Sequence, residues 1–334
     1  MVLSYKIKRL LIIAIAIIIL ALAANEGANL SAPDPSTTVT KTVYPNVPAS
    51  MDPSIIDSNL DSANAVPSKS VIQKAAAAPK PLISAEAYLV ENLDTGEIYS
   101  QFNSEHVYPI ASLSKLIAAL VVLHSMTPDE KVTVTQSALD AYGDAGHLAL
   151  GETFMTSEML YPMLLESSND AAEVFAQSYG YDAFMAKMNE FAASLGMTST
   201  SFKDPSGLSS GNISNTHDLF ILAQYIYHSE QSLLNITKQT TYTVASTTDH
   251  AAHTWVTINP FPLDPHFIGG KTGRTNEAKE SMISLFRYDY GGVSYPVAVI
   301  VLRSDFSTRE IDSSILFEKF IQKIEGTTGP TVAG

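Results

Sequence analysis

The chain contains no cysteine. Disulfides, thiolate nucleophiles and cysteine-type zinc sites are therefore excluded. It is also short of positive charge: 20 Lys and Arg stand against 34 Asp and Glu in 334 residues, a net charge of −14. Nucleic acid and anionic lipid head groups both need a positive surface, so neither is an expected partner. No segment repeats elsewhere in the chain. The long apolar run, LLIIAIAIIILALAA at residues 10–24, falls short of the roughly 20 apolar residues that a membrane span wants. What is plentiful is core-forming material. With 46% hydrophobic residues, the chain can bury a substantial core in one large domain or two small ones.

The N-terminus has the form of an export signal. Lys6, Lys8 and Arg9 precede the apolar run, and Ala21-Leu22-Ala23 places small residues where a signal peptidase would cut. Residues 1–24 are expected to be a signal peptide or a retained membrane anchor, with the protein exported to the outer face of the cytoplasmic membrane or the cell wall. Residues 25–80 change composition: SAPDPSTTVTKTVYPNVPASMDPS and KAAAAPKP keep no apolar period. This is the composition of a disordered linker, able to span roughly 40 Å.

Residues 81–325 read as the folded region, followed by a tail at 326–334. AEAYLVEN and EIYSQF alternate like strands around the turn Asp94-Thr95-Gly96. A helix-rich stretch runs from about 135 to 230. It includes MTSEMLYPMLLESS, NDAAEVFAQSYG and YDAFMAKMNEFAASLG, the last ending on Gly196 as a C-cap. TTYTVAS, SMISLFRYDY and YPVAVIVLR read as strands, the last two joined by Gly291-Gly292; STREIDSSILFEKFIQKIE closes the chain as an amphipathic helix. Strands at both ends with helices between them predict an α+β fold. Its central antiparallel sheet would take edge elements from opposite ends of the chain.

Three short motifs interrupt this pattern. In PIASLSKLIAAL, Ser112 stands three positions before Lys115. On a helix the two share a face, so the amine can reach the hydroxyl. Serine is a weak nucleophile and needs a base. Lysine can serve only if burial or a second cation lowers its pKa, and the apolar run LIAALVVL supplies burial. The plain alternative is a helix cap followed by a solvated lysine. In LLESSNDAAEVF, Ser167, Ser168 and Asn169 lie where a loop joins two helices. A helix cap by Asn169 or Asp170 is the plain reading. A proton relay through Ser167 to Lys115, with Asn169 on the substrate backbone, is the functional one. In FIGGKTGRTNEAKES, glycines flank Lys271-Thr272, so a backbone can approach a ligand closely. Lysine and threonine there suit a carboxylate. A phosphate loop does not fit, because Pro265 occupies the place of its first glycine.

Taken together, in this order and at separations of about 55 and about 105 residues, the motifs are specific. They match the S-x-x-K, S-x-N and K-T-G set of the penicillin-recognising serine enzymes. From about Ile83 to Glu325 the chain resembles the low-molecular-mass D-alanyl-D-alanine carboxypeptidases. ISAEAYLVENLDTGEIYS, LALGETFMTSEMLYPMLLESSNDAA and FKDPSGLSSGNISNTHDL extend the likeness beyond the motifs.

The resemblance implies a β-lactamase/D,D-peptidase-like fold, with an antiparallel sheet flanked by helices and an all-helical subdomain. It implies that Ser112 is the acylated nucleophile, Lys115 its base and Ser167 a relay to the leaving amine. Asn169 would hold the substrate amide, and Lys271, Thr272 and Gly273 would bind the terminal carboxylate. The backbone N–H groups of Ser112 and Arg274 would form an oxyanion hole. No metal or cofactor is implied. The implied substrates are peptidoglycan pentapeptide stems, with β-lactams as covalent inhibitors and the membrane met only through an uncleaved N-terminal segment. Arg274 could add a second cation, and His147 would stand at the cleft rim. Three alternatives stay open: a D,D-endopeptidase on cross-links, a class A β-lactamase, and a non-catalytic wall-binding protein. The second lacks its deacylating glutamate, since the segment SFKDPSGLSSGN offers only Asp204.

Overall fold

A computed structural model of the chain describes residues 83–143 and 145–327. The leader or anchor expected at 1–24, the linker at 25–80 and residues 328–334 of the expected tail lie outside the described residues. Gly326 and Thr327, expected in the tail, instead end the last helix.

The chain opens with the expected hairpin of β1 (Ala87–Asn92) and β2 (Ile98–Phe102). Asn92 makes the turn. Its Oδ1 accepts the N–H groups of Asp94 at 2.9 Å and Thr95 at 3.0 Å. A long excursion follows: β3 (Tyr108–Pro109), a single 3-10 turn (Ala111–Leu113), α1 (Ser114–Ser125), β4 (Lys131–Thr133), the one-turn α2 (Gln136–Leu139) and β5 (Thr153–Met155). It continues through α3 (Thr156–Tyr161), α4 (Asn169–Tyr179), α5 (Tyr181–Ser194), β6 (Ile213–Ser214), α6 (Thr216–Ser229) and α7 (Gln231–Thr237), then the hairpin of β7 (Thr241–Val244) and β8 (His253–Val256). The chain returns as β9 (Phe267–Thr275), β10 (Lys279–Tyr290) and β11 (Val293–Ser304), and closes with α8 (Arg309–Thr327).

The main sheet has the order β2-β1-β11-β10-β9 and is antiparallel throughout. Its two edges come from opposite ends of the chain, as the strand pattern predicts. Side chains alternate across the sheet. On β10, Ile283 and Leu285 join the helical core, whereas Met282 and Phe286 face α8. The central strand β11 buries both faces, which is why VAVIVL is apolar without a break. Short two-stranded ribbons, β3 with β6, β4 with β5 and β7 with β8, trim the helical region.

One helix end positions the site. MTSEMLYPMLLESS is not one α-helix. Pro162 has no N–H to give the fourth residue back. Helix α3 ends at Tyr161, and residues Pro162–Glu166 wind as a wider π turn. That turn delivers Ser167 in the left-handed conformation, with φ of 64°. Elsewhere, Gly196 (φ 85°) terminates α5 as expected, with the Met197 N–H on the Ala192 carbonyl. Among the described residues no helix is long and apolar enough to cross a membrane.

One buried group is unrelated to the site. Glu91 on β1 is 6% exposed, and its Oε2 makes no hydrogen bond among the described residues. Burial pushes its carboxyl from 4.5 up to about 7, with nearby His217 opposing. The folded state therefore binds a proton that the unfolded chain releases at lower pH. The stability this gives is full below about 4.5 and is lost as pH rises through about 7. Glu91→Gln should flatten that slope and stabilise the protein at pH 8 by about 1–2 kcal/mol, measured by urea unfolding at pH 5 and pH 8.

Candidate active site

The first motif begins with a strained residue. Ala111 has φ of 50°, a conformation that a residue with a Cβ rarely adopts. It turns the chain from β3 into the 3-10 turn that carries Ser112 and feeds α1. Two glycines hold this elbow from either side. A Cβ on Gly207 would stand 2.0 Å from the Ala111 carbonyl oxygen, and one on Gly273 would stand 2.8 Å from the Ile110 carbonyl oxygen. A loop and a strand thus press backbone against backbone at the serine. Ser114 completes the elbow, donating its hydroxyl to the Ala111 carbonyl at 2.8 Å and accepting from Asn212 Nδ2 at 2.9 Å.

Lys115 lies on the first turn of α1 and is 0% exposed. Its Nζ donates to Ser112 Oγ at 2.9 Å, Asn169 Oδ1 at 2.7 Å and the Ser206 carbonyl at 2.6 Å. All three acceptors are neutral. Burial lowers its pKa from 10.5 to about 7, while the carboxylates of Asp204, Glu173 and Asp170 pull in the other direction. The amine is therefore able to accept a proton near neutrality. Ser206 is held in turn by Asp204. That carboxylate accepts the N–H groups of Ser206, Gly207, Leu208 and Ser209 at 2.5–3.2 Å. Asp204 organises a loop; it is not poised over the serine as a free base.

The second motif divides its labour. Ser168 caps α4, its Oγ accepting the Ala171 N–H at 3.1 Å. The cap expected of Asn169 or Asp170 thus falls to the residue between Ser167 and Asn169. The flanking side chains are free for the cleft. Asn169 spans it: Oδ1 accepts from Lys115, and Nδ2 donates to the Tyr142 carbonyl at 2.6 Å. Ser167 Oγ accepts from Lys271 Nζ at 2.8 Å. The hydroxyl expected to work beside Lys115 is hydrogen-bonded to the third motif's lysine.

The third motif lies on β9, the sheet edge nearest the elbow. Lys271 and Thr272 are both 2% exposed. Burial drives the Lys271 pKa well below the ordinary lysine value, reinforced by the positive charges of Lys115 and Arg309. Gly273 lets β9 approach: its missing Cβ would lie 3.2 Å from the Ser112 backbone nitrogen. An edge strand leaves outward N–H groups unpaired by the sheet. The Ser112 and Arg274 amides thus belong to two backbones in close contact.

These groups line one cleft of about 830 Å³, with Ser112, Ser167, Asn169, Thr272, Gly273 and Arg274 on its walls. The Arg274 guanidinium is 61% exposed and lies over the Phe306 ring at 5.1 Å. His147 is exposed, with φ of 50°, and does not line the cleft. Two further residues escape sequence reasoning. Arg309, the first residue of α8, lines the cleft and donates Nη1 to the Gly273 carbonyl at 3.1 Å. Glu173 sits one turn beyond Asn169, and burial together with Asp204 raises its carboxyl to about 7. No motif marks either: the fold alone brings Arg309 to the cleft, and Glu173 reads as an ordinary polar residue of the helix that Asn169 begins. Among the described residues no group of three or more His, Asp or Glu could hold a metal ion.

The chain was compared with known proteins. A family model described as D-alanyl-D-alanine carboxypeptidase matches residues 73–297. The D-alanyl-D-alanine endopeptidase of Escherichia coli (strain K12) is 38% identical over 149 residues, 43% of this chain and 48% of that protein. The D-alanyl-D-alanine carboxypeptidase DacB2 of Mycobacterium tuberculosis is 31% identical over 221 residues, 64% of this chain and 74% of that protein. The chain thus spans about half the length of the first relative and three quarters of the second. The crystal structure of the Streptomyces K15 DD-transpeptidase superposes with a TM-score of 0.66 at 26% identity, covering 73% of this chain and all of that one.

The elbow gives a direct test. Gly207→Ala puts a Cβ into the Ala111 carbonyl at a φ of 91°. It should destabilise the fold by about 2–4 kcal/mol. Urea unfolding of the purified variant beside the wild type would check this.

Proposed function

We propose that this chain, which belongs to the D-alanyl-D-alanine carboxypeptidase family, removes the terminal D-alanine from peptidoglycan stem peptides through an acyl-enzyme on Ser112. The observation that carries the reading is Lys115. A fully buried amine, lowered to about 7, donates its hydrogen bond to the one serine hydroxyl that faces the cleft from the elbow.

The proposed reaction uses only groups already in place. The D-alanine carboxylate enters beside Lys271, Thr272 and the guanidinium groups of Arg274 and Arg309. It supplies the counter-charge that the buried lysines lack. Lys115 takes the Ser112 proton while Oγ bonds to the penultimate carbonyl carbon. The oxyanion lies between the backbone N–H groups of Ser112 and Arg274. Ser167 gives its proton to the departing nitrogen and takes one from the Lys271 ammonium that donates to it; the C–N bond breaks and D-alanine leaves. Water then adds to the ester carbon, returning a proton through Ser167 to Lys271, while Lys115 gives its proton back to Ser112 Oγ as the ester C–O bond breaks. A β-lactam would enter the same path and remain as an ester. Asp204, the acid in the segment where a β-lactamase would carry its deacylating glutamate, has its carboxylate committed to four backbone amides. That supports a slowly turned-over penicillin adduct. We place the protein outside the cytoplasm, at the wall, with the N-terminal segment as leader or anchor.

A D,D-endopeptidase is the second reading, favoured by relatives that bear that name at 36–38% identity. Both activities break a bond to the carbonyl of a D-alanine, so the same residues serve. The chain should release D-alanine from a peptide ending in Lys-D-Ala-D-Ala, and Ser112→Ala should lower the rate by at least about 1,000-fold. Cleavage of a purified cross-linked muropeptide dimer without D-alanine release would select the second reading. Neither product would overturn both.

A further inference from the structure

The π turn that delivers Ser167 ends on Glu166, a half-buried carboxylate that makes no ion pair among the described residues. Its two oxygens point to two different segments. Oε2 accepts the Gly146 N–H at 2.9 Å, and Oε1 accepts the Val256 N–H at 2.9 Å. Neighbouring bonds repeat the connection. The Trp255 indole donates to the Gly146 carbonyl at 2.8 Å, the Ile258 N–H donates to the Leu165 carbonyl at 3.0 Å, and Asn169 holds the Tyr142 carbonyl. Each segment contributes to the cleft wall: Tyr142 and Gly143 from the first, Ser167 and Asn169 from the second, Ile258 from the third.

Packing at this junction leaves no slack. A Cβ on Gly146, at φ of 96°, would stand 2.7 Å from Ser168 Oγ. Ser167 itself sits in the left-handed region, where a residue with a Cβ stays only if its surroundings hold it. From that position at the end of the turn its hydroxyl accepts from Lys271 Nζ at 2.8 Å. We propose that Glu166 is a positioning residue: by clamping the two cleft-wall segments to its own backbone, it holds Ser167 at Lys271 for proton transfer to the leaving group. The role needs a carboxylate. An amide of the same shape presents one acceptor and turns an NH₂ group towards the other backbone N–H. The proposal rests on the acyl-enzyme reading above, since it concerns a step of that reaction.

Glu166→Gln separates positioning from mere support of the fold. The rate constant for acylation by a labelled penicillin, divided by the number of titrated active sites, should fall by about tenfold or more. D-Alanine release should fall by the same factor. The pH midpoint of acylation should stay where Lys115 sets it, because Glu166 does not touch the amine. Dividing by titrated sites removes any unfolded fraction, so a purely structural role would leave the rate constant unchanged. A variant with the wild-type rate constant per site overturns the proposal. A wild type that takes no label overturns the acyl-enzyme reading and this role with it. Amide hydrogen exchange on the wild-type protein tests the clamp without any variant. Slow exchange at both Gly146 and Val256 supports it, and fast exchange at either overturns it.

Discussion

Two buried ammonium groups without a carboxylate partner govern this structure. Lys115 and Lys271 are 0% and 2% exposed, and the charge of Lys115 adds to burial in disfavouring a proton on Lys271. Their hydrogen bonds go to hydroxyls, an amide oxygen and backbone carbonyls. Burying an unpaired charge is expensive, and the usual outcome is loss of the proton. Here that outcome is useful. The fold spends stability to hold an amine able to lose its proton near pH 7 against a serine hydroxyl, with a second buried lysine beside it.

Much of the rest of the architecture keeps these amines dry and aimed. The apolar helix α1 and the sheet enclose Lys115. Gly207 and Gly273 let a loop and the strand β9 close on the elbow at distances no other residue would permit. Ala111 and Ser167 hold left-handed backbones, one just before Ser112 and one at the hydroxyl that meets Lys271. Strain at those two places is sustained by what surrounds them: Ser114 and Asn212 at the first, the segments joined by Glu166 at the second. Site and scaffold therefore share the same hydrogen bonds.

The sequence carries the sheet plainly, because strands alternate and a central strand such as VAVIVL has no polar interruption. It also carries the three motifs, since each chemical group lies within a few residues of its neighbour. What it hides is settled by distance in space. Lys271 and Ser167 are 104 positions apart, so nothing local says that they bond to each other rather than each to Lys115. Arg309 looks like an ordinary first-turn residue of an amphipathic helix until the fold sets it against Gly273. The cap on α4 could be Ser168, Asn169 or Asp170 by preference alone; only the geometry selects Ser168. Helical spacing of apolar residues runs through Pro162, and the missing N–H that converts α3 into a π turn is a backbone effect which side-chain periodicity does not register. The strand β8 is likewise too short and too polar to signal itself beside β7.

The most direct test of this account is the protonation of Lys115 in the free protein, followed by NMR of its side-chain Nζ and Cε across a pH titration, with Lys115→Arg to assign the signal. Titration near pH 7, ahead of the solvated lysines, is the predicted result. A Lys115 that keeps its proton up to the ordinary lysine value of about 10.4 would contradict it, and the base for Ser112 would have to be sought elsewhere.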